Sequence, residues 1–142
     1  MHFFTNLLTL ASTASLSSGA TTHGYPLAAV SLKAHDDCVH GLTPDSAGAW
    51  ISGTLATPDA CTQIPVEKAW EISHSSFDAW MITPETVERC HGAAIFVDGD
   101  CTGRPFYVLP FEYGRRHVRG VCLADSLEWV VAVKLVCEPE GF

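Results

Sequence analysis

The chain contains a single asparagine, Asn6, and no Asn-x-Ser/Thr acceptor, so N-glycosylation is excluded. Basic residues are scarce: 8 Lys and Arg stand against 16 Asp and Glu, and the first of them is Lys33. The resulting formal charge of −8 repels phosphate backbones, which argues against general nucleic-acid or anionic-membrane binding. No apolar run approaches the about 18 residues of a membrane span, so no transmembrane segment is expected. There is no Cys-x-x-Cys pair, no compact Cys/His cluster with zinc spacing and no serine-elbow motif. Neither a metal nor any other cofactor is implied.

Against these absences, 47 % of the 142 residues are apolar, enough for one domain with a real core. Residues 1–20 read as a secretory signal peptide. Phe3, Phe4, Leu7, Leu8, Leu10 and Ala11 form its apolar centre, and Ser18, Gly19 and Ala20 fit a small-x-small cleavage site. Residues 21–34 mix small side chains with Gly24 and Pro26 and read as a loose N-terminal arm. Residues 35–142 then form a single disulfide-bonded, β-rich domain. All six cysteines (Cys38, Cys61, Cys90, Cys101, Cys122 and Cys137) lie beyond the leader. An even count after a signal reads as a disulfide framework, with 15 pairings open. Secretion and an extracellular location follow.

The chain is organised around residues 90–109. Two short apolar runs, residues 93–97 and 106–109, flank Asp98, Gly99, Asp100, Gly103 and Pro105, which is a hairpin signal. Residues 127–137 are the clearest strand, since Leu127, Trp129, Val131, Val133, Leu135 and Cys137 alternate without a break. Shorter strands are expected at residues 49–55 and 77–82, with turns at residues 43–48 and 57–65. From Val66 onward strand and helix compete. Thr83 followed by Pro84 and Glu85 predicts a helix start. The fold expected is mostly β: a small disulfide-stapled antiparallel sheet or Greek-key sandwich with room for one short helix.

Two polar stretches qualify as sites. His35, Asp36, Asp37, Cys38 and His40 form a polar loop beside a disulfide, without the spacing of a metal centre. Residues 110–120 hold Arg115, Arg116, His117 and Arg119, a local reversal of sign on an acidic chain and a candidate binding loop. A catalytic alternative uses the same region. Glu112, Arg115 and His117, with a second histidine such as His91, would supply the base, acid and cation of a ribonuclease-like hydrolase.

Phe96, the glycine seven positions later (Gly103), the following Phe106 and Tyr107, and a closing strand at residues 131–135 resemble the Greek-key signature of the βγ-crystallin superfamily, which includes killer-toxin-like relatives. The calcium-site signature of that superfamily is absent. The cysteine layout also resembles small secreted cysteine-rich proteins of filamentous fungi, the candidate-effector type. The resemblance implies a β-rich fold and a binding or toxin-like role at a host or competitor surface. The function expected is therefore that of a secreted, monomeric, non-enzymatic binding protein with a protein or glycan ligand. The small hydrolase stands as its alternative.

Overall fold

The computed structural model describes residues 25–36, 38, 49–66, 72–97, 99–124, 127 and 130–139. The proposed signal, the turn at residues 43–48, the centre of the ambiguous stretch at residues 67–71, and Asp37 and His40 lie outside them.

The described chain is mostly β, with one short helix. In order, the elements are β1 (Ala28–His35), β2 (Ala49–Ala56), β3 (Thr62–Pro65), β4 (His74–Met81), α1 (Pro84–Arg89), β5 (Cys90–Phe96), β6 (Tyr107–Pro110), β7 (His117–Arg119) and β8 (Val130–Cys137). They form two four-stranded sheets, ordered β2-β1-β4-β7 and β3-β8-β5-β6. Every pairing is antiparallel. The inward faces of both sheets share one core. Val30, Leu32, Phe77 and Met81 come from the first sheet, and Ile64, Ile95, Leu109, Val131, Val133 and Leu135 from the second. A smaller cluster of Ala94, Phe96 and Ala132, with Cys101 against it, lies on the outer side of the second sheet.

The local reasons are legible in the residues. Valines crowd β8, where a branched Cβ packs well on a pleated surface. In β4, Phe77, Ala79 and Met81 enter the core, while Asp78 and Trp80 take the opposite face by the period of two. The expected hairpin pairs Ala93 with Leu109 and Ile95 with Tyr107. Gly99 and Gly103 bend the connection at φ 74° and 76°, a region that L side chains rarely adopt. β8 lies along β5, so the hairpin and the last strand share a sheet.

Three expectations are corrected, and the helix start stands with a different use of its cap. The loose arm is a strand from Ala28 onward, and an inner one. β1 pairs with β2 on one side and β4 on the other, and buries Ala28, Val30 and Leu32. Its alanines and serine carry little β propensity, and pairing on both sides supplies what propensity does not. The turn around Cys61 ends sooner than expected, because Thr62–Pro65 pairs with β8. The basic loop is partly a strand, since His117–Arg119 adds β7 to the edge of the first sheet. Thr83 has the extended backbone of an N-cap and Pro84 opens the helix, yet the Thr83 hydroxyl makes no cap bond. That hydroxyl donates instead to the Tyr25 carbonyl at 2.9 Å.

All six cysteines are paired, as Cys38–Cys122, Cys61–Cys101 and Cys90–Cys137. Only Cys90–Cys137 joins two strands of one sheet, β5 and β8. The first bridge joins the chain after β1 to the chain after β7, and Cys61–Cys101 joins the chain before β3 to the chain after β5.

Candidate functional site

The first sheet presents an outer face with an unusual composition. Trp50, Leu55 and Trp80 are exposed there by 65 %, 54 % and 55 %. A globular chain that could bury such groups but leaves three on one face marks that face for contact. A register shift opposite β1 brings Trp50 there: Leu32 pairs with Ser52, but Lys33 pairs with Trp50. Trp80 arrives by simple alternation along β4.

Between the aromatics lies a charged floor. Asp78 is 3 % exposed. Its Oδ2 takes an ion pair from Lys33 Nζ at 3.0 Å. The His117 Nε2 lies 3.5 Å from the same oxygen, outside hydrogen-bond geometry, and makes no other bond among the described residues. The His117 ring stacks on Trp80 with centroids 4.0 Å apart and planes 12° from parallel. Burial of a carboxylate this deep is tolerable only with a partner, and Lys33 is that partner, with the His117 ring beside the pair. Arg119 stands directly across from Asp78 in the register; it is exposed. Together with Ser31, Gly53 and Thr54 these side chains line an open groove of about 630 Å³. Gly53 lets β2 lie close against β1 there, since an added Cβ would lie 2.9 Å from the Val30 carbonyl oxygen and 3.4 Å from the Ser31 side chain.

The binding residues expected from the sequence are thus divided. His117 and Arg119 enter the groove through β7. Arg115 and Arg116 remain on the exposed turn before it, and Arg115 pairs with Glu112 at 3.3 Å, both about two-thirds exposed. A surface pair of this kind is worth roughly 0–1 kcal/mol. The catalytic alternative is also divided: Glu112 and His91 line a different groove, with Phe111 and Tyr113, and His117 is not in it. His91 pairs there with Glu138 at 3.4 Å. A larger groove, about 810 Å³, crosses the second sheet between Tyr25, Arg89, Phe96 and Lys134. Arg89 spends its Nη2 on the Glu138 carbonyl at 2.7 Å, so it brings less free chemistry than the smaller groove.

Sequence reasoning missed Lys33, Trp50, Asp78 and Trp80. One signal was present. In residues 77–80, Asp78 and Trp80 alternate with Phe77 and Ala79, which puts a tryptophan on the polar face of a strand. Among the described residues no group of three or more His, Cys, Asp or Glu side chains is arranged to hold a metal ion. Comparison with protein-family models, with curated proteins and with solved structures found no match to this chain.

Proposed function

We propose that this protein is a secreted, non-catalytic binding module that takes an oligosaccharide on the outer face of its first sheet, at a host or competitor surface. The observation that carries the reading is the pairing of exposed Trp50 and Trp80 with the Lys33–Asp78 ion pair and the His117 ring between them. Sugar rings offer an aliphatic C–H face for an indole and hydroxyls at their rims. The groove supplies both complements, and tryptophan and arginine are the usual hot-spot residues. From the register, Trp50 and Trp80 stand four residues apart along β1 and two strands apart across it. At ordinary strand spacings that is roughly 16 Å, a span suited to an oligomer rather than one sugar.

Three disulfides fit an oxidising compartment, and no helix among the described residues is long and apolar enough to cross a membrane. Neither the βγ-crystallin nor the fungal-effector resemblance contributes a residue to this face. The reading is tested by titrating oxidised protein with oligosaccharides and following tryptophan fluorescence. Binding that falls at least about tenfold in both Trp50→Ala and Trp80→Ala supports it. Absence of binding to any saccharide overturns it.

The Asp78–His117 pair favours a second reading, a small hydrolase using His117 as base. Turnover of RNA or glycan by the wild type that His117→Ala abolishes would establish that reading and displace the first.

A further inference from the structure

We infer, on the footing of the saccharide-binding reading, that the ligand is anionic: a uronate-bearing oligosaccharide whose carboxylate is taken by Arg119. The chain carries a formal charge of −8, so a basic groove on it is a local departure with a cause to find. Among the described residues, the charged and titratable side chains lining the groove are Lys33, Asp78, Arg119 and His117. Lys33 is spent on Asp78 at 3.0 Å, and the imidazole of His117 faces the same oxygen. Asp78 is the only acid among the described residues that line the groove, and its side chain is just 5 % exposed. What the groove shows to solvent is therefore the Arg119 guanidinium, which makes no hydrogen bond or ion pair among the described residues.

A guanidinium binds a carboxylate through two parallel N–H···O bonds, a geometry no neutral hydroxyl reproduces. It stands one strand from Trp80, whose ring would stack the sugar bearing that carboxylate. Lys33, whose side chain is 24 % exposed, then meets a hydroxyl at the groove floor with an N–H that it does not give to Asp78. A single-stranded nucleic acid also combines anions with stackable rings. It needs a cationic track along its backbone, however, and the described residues of this groove offer one guanidinium without a partner among them, on a strongly acidic chain.

The test uses the full oxidised chain and fluorescence titration with four probes: oligogalacturonate, the same oligomer methyl-esterified, a neutral chito-oligosaccharide and oligo(U). Oligogalacturonate is expected to bind at least about tenfold more tightly than its ester, and added salt should weaken it. Arg119→Gln should abolish that preference, leaving acid and ester equal, while Arg104→Gln, on an exposed loop outside the groove, should retain it. Thermal melting of Arg119→Gln serves as the folding control; Arg119→Lys should recover only part of the preference, because an ammonium lacks the fork. Equal affinity for acid, ester and neutral oligomers overturns the anionic inference and leaves saccharide binding intact. Binding to oligo(U) alone, or to none of the four, overturns both.

Discussion

Asp78 sits on a strand with neighbours on both sides, 3 % exposed, and carries a charge that the apolar sheet beneath it cannot solvate. Its stability rests on Lys33 at 3.0 Å. Removing that cation while keeping the carboxylate leaves a buried group unpaired. Lys33→Met is therefore expected to cost about 1–3 kcal/mol, measured by urea denaturation. The double variant Lys33→Met/Asp78→Leu should regain much of the loss, because no charge is then left stranded. A cost in the double variant equal to the sum of the singles would show that the pair is not coupled. Nearby on the same strand, Phe77 is fully buried and Trp80 is 55 % exposed. Phe77→Ala should lower stability by about 3–5 kcal/mol. Trp80→Ala should lower it far less and act on binding instead, a split that thermal melting and titration together would resolve. Residue identity alone did not announce this division, since both are large aromatics in one short run. Only the parity of their positions separates core from contact face.

Among the elements, the hairpin and the last strand could be read directly, because their signals are local: turn glycines between apolar runs, and an unbroken alternation of apolar side chains. β1 could not. Its eight residues include three alanines and a serine, and its identity as an inner strand is conferred by partners remote in sequence. The site inherits this difficulty, for it draws Lys33 from β1, Trp50 from β2, Asp78 and Trp80 from β4, and His117 and Arg119 from β7. Only the β7 pair was visible beforehand, through its clustered charge. The helix illustrates a further non-local dependence. Thr86, fully buried in α1, donates its hydroxyl to the Leu27 carbonyl at 2.9 Å and accepts from the Leu27 N–H at 2.7 Å. The helix thereby clamps the chain just before β1. Thr86→Val keeps the shape and removes both bonds, so about 1–3 kcal/mol should be lost, read as a fall in melting temperature. An unchanged melting temperature would mean that the entry to β1 is secured elsewhere.

For the whole molecule, the cysteines dominate. The three bridges span sequence separations of 84, 40 and 47 residues. The chain-entropy account assigns about 4 kcal/mol to each, and net domain stability is only about 5–15 kcal/mol. Full reduction is therefore expected to unfold the chain at 37 °C, seen as loss of the near-ultraviolet circular dichroism. Persistence of that signal in reductant would show that the shared core suffices. Cys90→Ser/Cys137→Ser alone should cost about 4 kcal/mol while leaving two bridges in place. That charge, apolar content and cysteine count could be read at this scale is no accident: they are sums over the chain and need no register.

Only Cys90–Cys137 ties two strands of one sheet directly, while Cys61 and Cys122 sit on the connections that run from one sheet to the other, so the staples fasten the crossings as well as a sheet. Apolar adhesion between the sheets weakens on cooling, and in the cold the hold between them leans most on those fastened crossings. The face carrying Lys33, Asp78, Trp80 and His117 is drawn from strands of a single sheet, so its internal spacings rest on ladder hydrogen bonds and do not depend on that hold.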